Sequence, residues 1–68
     1  MNIDRISKGD FVCGVQKYAD DIIIKSGLVS IVNKEKNQIS VEVYDDTYHT
    51  CFEVVIMCAH SIIAHKEM

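Results

Sequence analysis

Gln38-Ile39-Ser40-Val41-Glu42-Val43-Tyr44-Asp45-Asp46-Thr47-Tyr48 is the stretch on which the fold turns. Ile39, Val41 and Val43 share one parity; Ser40, Glu42 and Tyr44 share the other. Side chains alternate across a strand with a period of two, so this segment reads as a strand with one apolar and one polar face. A slip of one residue would turn Glu42 into the core, which fixes the register. Asp45-Asp46-Thr47 carries turn chemistry. Beyond it, Tyr48, Thr50, Phe52 and Val54 alternate with His49, Cys51, Glu53 and Val55. The spacing predicts a hairpin pairing residues 38–44 with 48–54, with Val41 and Val43 inward and Glu42 outward.

Upstream, Lys8-Gly9-Asp10 is a turn signal. Phe11, Cys13 and Val15 then alternate with Val12, Gly14 and Gln16, which predicts a first strand. Gly14 marks a bulge or bend inside it. Residues 17–21 read as a polar loop. Ile22-Ile23-Ile24 either continues that hairpin or begins a second strand, and Ser26-Gly27 is expected to break it. Leu28-Val29-Ser30-Ile31-Val32 is the next strand, closed by the solvated turn Asn33–Asn37. Downstream, Val54–Ala59 is six consecutive apolar residues. It reads as the end of the fourth strand plus a 3-10 turn, or as a short buried helix. Ser61–His65 is expected to form a fifth strand.

Composition supports the same class. Isoleucine and valine supply 18 of 68 residues, and leucine and alanine four. β-Branched side chains lose χ1 freedom in helices and pack well on pleated sheets. A chain this short makes one domain with a small core. Its three cysteines, Cys13, Cys51 and Cys58, are an odd number, so reduced, unpaired thiols in a cytoplasmic setting are expected. Met1–Asp10 is broken by charge and does not read as a signal peptide. No apolar run approaches spanning length. The formal charge is −3, and the seven basic residues are scattered, whereas phosphate binding normally needs a basic stripe. Six lysines beside one arginine, with abundant isoleucine, fit an AT-rich coding source such as a bacterium or phage.

Five short strands opening on Lys8-Gly9-Asp10, with Gly27–Val32 and Val41–Tyr48 following, resemble an SH3-like barrel of the Tudor/KOW type. The resemblance spans about residues 8–64. It implies a small five-stranded barrel, one SH3-like domain over 1–68, with a 3-10 turn or short helix near 54–59. In Tudor domains the loop after strand one and the strand three–four hairpin carry an aromatic cage for methylated arginine or lysine, held by cation–π attraction. Tyr44 and Tyr48 match the hairpin and Tyr18 the earlier loop. The chain departs from the pattern in lacking tryptophan and in carrying Asp45-Asp46 where the tight glycine turn would be.

The candidate partner-binding residues are therefore Tyr18, Asp20, Asp21, Tyr44, Asp45, Asp46 and Tyr48. Tyrosine offers anchoring area and a hydroxyl, and the aspartates a field suited to a basic patch. The plainer reading is that Tyr44 packs across the hairpin, Tyr48 faces the core and the aspartates are solvated turn residues. His49-X-Cys51 and Cys58-X-His60 form two chelating pairs, with Cys13 and His65 in reserve, so a small zinc-binding protein is one alternative. Buried thiols acting as small hydrophobes are the competing reading. A KOW-like nucleic-acid-associated barrel using Lys8, Lys17, Lys34 and Lys36 is the other. No nucleophile–base arrangement, phosphate loop or dinucleotide fingerprint accompanies these residues. The expectation is a non-enzymatic module without cofactor or membrane association. It would dock a protein partner, as a phage or mobile-element regulator of a host protein would. An edge strand offers a route to homo-oligomers.

Overall fold

The computed structural model describes residues 2–44 and 51–67, with backbone alone for Cys51 and Phe52. Five antiparallel strands form one sheet: β1 Phe11–Tyr18, β2 Asp21–Asn33, β3 Gln38–Tyr44, β4 Cys51–Cys58 and β5 Ile62–Lys66. Three-residue 3-10 turns lie at Ile3–Arg5 and Ala59–Ser61. The spatial order is β4-β3-β2-β1-β5, so the first four strands meander and the fifth returns beside the first. The expected five-stranded all-β class is what the chain adopts. The sheet is open, with no ladder joining β4 to β5 or to β1 among the described residues.

Three expectations need correction. Ser26-Gly27 does not break the chain: β2 runs unbroken for 13 residues, its first half laddered to β1 and its second to β3. Gly27 is the crossing point. A Cβ there would collide with the carbonyl oxygen of Glu42, so the missing side chain lets β2 change neighbours. Second, residues 17 and 18 belong to β1 rather than to a loop, because Tyr18 pairs with Asp21 and the turn needs only Ala19 and Asp20. Ala19 takes φ 50° to make it. Third, β3 pairs with 51–58 rather than 48–54: Val41 faces Val55 and Gln38 faces Cys58. Cross-strand contact therefore extends the ladder through Val54–Cys58, and the 3-10 turn follows at Ala59. Of the two readings of Val54–Ala59, the end of the fourth strand followed by a 3-10 turn is the one the chain adopts, and the short helix is not.

One side of the sheet makes the core. Val12, Val29, Ile39, Val41, Val55 and Met57 are buried there, joined by Ile62 and Ala59. Ile3 and Ile6, upstream of residue 8, are buried as well and close one end. In β2 the phase shifts: a bulge between Val29 and Ile31 brings both Val29 and Val32 inward. Ser30 at the bulge donates its hydroxyl to the Ser40 carbonyl at 3.2 Å. The register expected for β3 holds, with Ile39 and Val41 buried and Glu42 on the opposite face, where Tyr44 Oη donates to it at 2.5 Å.

Asp10 ties the ends of the fold together. It is the buried polar residue among those described. Its Oδ2 accepts from the Ser7 amide at 2.9 Å and lies 2.8 Å from His65 Nε2, binding the N-terminal turn to β5. Its carbonyl accepts from Val29 N at 2.8 Å, and Gly9 N donates to Val29 O at the same distance. A buried carboxyl group is costly unless it is hydrogen-bonded, and here the Ser7 amide and His65 Nε2 both lie within bonding distance of it.

Candidate functional site

β1 is flanked unequally. Residues 11–14 lie between β2 and β5, while Val15–Tyr18 pair with β2 alone. β4 likewise pairs with β3 alone. These two strand edges face each other across a cleft of about 650 Å³. Val15, Gln16 and Tyr18 line one wall; Ile56, Met57 and Cys58 line the other. His60, Ser61 and Ile63 close its end. A long polar tie spans it among the described residues: Gln16 Nε2 donates to the Ile56 carbonyl at 3.4 Å. At its floor a Cβ on Gly14 would meet Met57 Sδ at 2.5 Å, so glycine lets β1 and β4 approach there before they part.

The cleft has the chemistry of an unfilled strand position. Its walls offer backbone N–H and C=O groups beside apolar side chains, which is what an extended peptide needs to add a strand. Tyr18 stands at the mouth, 53% exposed, with its hydroxyl donating to Gln16 Oε1 at 2.9 Å. Asp20 and Asp21, both exposed, follow at the turn.

A second cleft of about 630 Å³ opens where β2 leaves β3. Phe11, Ile23, Val43 and Tyr44 line it, and the Lys25–Glu53 ion pair crosses it. With 21% and 34% side-chain exposure the pair is partly screened, so it contributes modestly to stability.

The structure divides the residues expected to bind a partner. Tyr18, Asp20 and Asp21 gather at the β1–β2 turn. Tyr44 ends β3 five register positions away from Tyr18, and on the opposite face of the sheet. Tyr18 and Tyr44 therefore do not converge on one ligand. Asp45, Asp46 and Tyr48 lie outside the described residues. The lysines of the nucleic-acid alternative are also dispersed. Lys17 is near one end of β2, Lys34 and Lys36 are in the turn at the other, and Lys34 pairs with Asp4 at 3.6 Å.

The two chelating pairs are separated by their own strand. Cys51 and Cys58 stand seven residues apart on β4, on the order of 20 Å at ~3.3 Å per residue. A zinc ion bonds thiolates at ~2.3 Å, so these two cysteines do not meet at one ion within a chain. Cys58 Sγ does lie 3.4 Å from His60 Nδ1. His49 and the Cys51 side chain are outside the described residues. His65, the reserve ligand, is committed to Asp10. No group of three potential metal-ligating side chains occurs among the described residues. Cys13 and Cys58 are free thiols.

Sequence reasoning missed Gln16, Met57 and Ile56 as walls of the cleft. The one available signal was Gly14, which marks where β1 bends and lets another element come close. No helix of the described residues is long and apolar enough to cross a membrane. Comparison with protein-family models, curated proteins and solved structures found no match for this chain.

Proposed function

We propose that this chain is a non-enzymatic interaction module that captures an extended segment of a protein partner in the cleft between β1 and β4. The observation that supports this reading is the pair of facing strand edges, Val15–Tyr18 and Ile56–Cys58, with no ladder between them. Unpaired edges attract other strands, and proteins usually blunt them with lysine, proline or a cover. β4 contains neither lysine nor proline from Cys51 to Cys58. Tyr18 supplies an anchor at the mouth, and Asp20 and Asp21 favour a segment that is basic beyond its apolar core. The reading keeps the module in a cytoplasmic setting, as a phage or mobile-element regulator of a host protein, and treats the Tudor/KOW resemblance as one of fold.

A displayed peptide library selected against the purified domain tests it. Selected peptides should be extended, with alternating apolar residues. Their binding should perturb the amides of 15–18 and 56–58. Tyr18→Ala should weaken binding by about 1–2 kcal/mol with the fold intact. Peptides that perturb only the cleft between Phe11 and Tyr44 would move the site there. Unchanged affinity after Tyr18→Ala would remove the anchor from the proposal.

A further inference from the structure

We infer that Cys58 and His60 are half of a tetrahedral zinc site, which the same pair from a second copy of this chain completes. Cys58 Sγ lies 3.4 Å from His60 Nδ1. With zinc bonded to sulfur at ~2.3 Å and to imidazole at ~2.05 Å, tetrahedral angles set the two donors ~3.5 Å apart, whereas a linear ion with the same bonds would set them ~4.3 Å apart. The spacing already present is that of one tetrahedral edge.

The backbone on both sides holds the pair in place. Cys58 ends β4 opposite Gln38, extended at φ −73° and ψ 140°. Ala59 follows, 0% exposed, and its N–H donates to the Asn37 carbonyl at 2.9 Å. The N–H of Ile62 donates in turn to the Ala59 carbonyl, which closes the 3-10 turn. With Ala59 turned into the core between them, Cys58 and His60 project together, and both line the end of the cleft beside β1. Cys58 is a half-buried free thiol and His60 is exposed, so an ion can reach both.

The chain leaves the other half of the set to a second copy. No third potential ligand of the metal-binding types joins the pair among the described residues. His65 is bonded to Asp10, and Cys51 stands on the order of 20 Å away along β4. Tyr18 and Ser61, which share the cleft, offer only neutral hydroxyls, whereas structural zinc is closed by thiolate and imidazole ligands, Cys₂His₂ being one of its usual sets. A twofold axis through the ion brings the identical pair opposite, as an isologous contact does. Each thiol gives its proton to solvent as the metal–sulfur bond forms. Two thiolates then cancel the charge of the ion, so Lys17, the charged residue of the cleft lining, meets a neutral complex. The site does not depend on a peptide in the cleft.

Titration of the reduced, purified chain with Co(II) as a coloured stand-in, and sedimentation equilibrium with zinc, test the inference. Thiolate-to-cobalt charge transfer and the strong visible bands of a tetrahedral ion should appear together and saturate at one ion per two chains. Zinc at that ratio should raise the mass from 7.7 kDa to twice that value, and a chelator should restore the lighter species. Cys58→Ser and His60→Ala should each weaken cobalt binding roughly tenfold or more, while Cys13→Ser and Cys51→Ser leave it unchanged. The wild-type stoichiometry and spectrum decide the matter even if a variant fails to fold. Saturation at one ion per chain, a spectrum without the thiolate band, or a 7.7 kDa species at saturating zinc overturns the inference. So does a signal lost with Cys51 rather than with Cys58.

Discussion

Ile39 and Val41 on β3 are 1% and 0% exposed, whereas Ile22 and Ile24 on β2 are 67% and 62% exposed. Both pairs are β-branched residues two apart on a strand, so hydropathy does not separate them. Two things do. Ile39 and Val41 face the core, and their strand has a neighbour on each side. Ile22 and Ile24 face outward, on a hairpin end whose other strand, β1 at residues 15–18, has no second neighbour. Ile23 isolates the second effect. It has the inward parity, opposite Gln16, yet it is still 39% exposed. Parity chooses the face of a side chain, and flanking strands decide whether that face is covered.

The sharpest way to break this comparison is to place a charge at each position. Val41→Asp should unfold the domain, because an unpaired buried carboxylate costs upward of about 4 kcal/mol. Ile24→Asp should leave the denaturation midpoint nearly unchanged. Equal losses in a urea titration would show that the hairpin end is covered after all.

Removing the buried node comes next. Asp10→Ala leaves His65 buried without its partner and the Ser7 amide without its acceptor, so a loss of about 3 kcal/mol is expected. Thermal denaturation of this variant beside Ser7→Ala, which keeps the backbone donor, measures it. A loss no larger than that of Ser7→Ala would mean that the node carries little of the stability.

Two glycines sharpen the account of strand crossing. Gly27→Ala pushes a methyl against the backbone of Glu42, which cannot yield without moving β3. Gly14→Ala pushes against Met57 Sδ, the flexible part of a side chain. The expected losses are roughly 2–3 kcal/mol for Gly27 and roughly 1 kcal/mol for Gly14. The reverse order would show that the β1–β4 approach is the more rigid of the two.

The smallest effect belongs to Ile22→Ser. Measured in a urea titration, it should change stability by no more than about 0.5 kcal/mol.

What the sequence determined by itself is the local pattern. The β-branched composition, the alternation from Ile39 to Tyr44 and the turn residues at Gly9-Asp10 and Asn33–Asn37 specify strands, their faces and several of their limits, because a two-residue period and turn chemistry act over a few neighbouring residues. What only the tertiary structure decided is everything set by distant neighbours. The four-residue shift that pairs Val41 with Val55 depends on the ladder settling where both strands bury their inner faces. The passage of β2 through Gly27 depends on a backbone that crosses it 15 residues later. The Asp10–His65 pair joins residues 55 positions apart, and neither residue carries a local mark of the other. The cleft beside Tyr18 exists because β5 pairs with only the first half of β1, leaving the edge that local sequence cannot distinguish from a paired one.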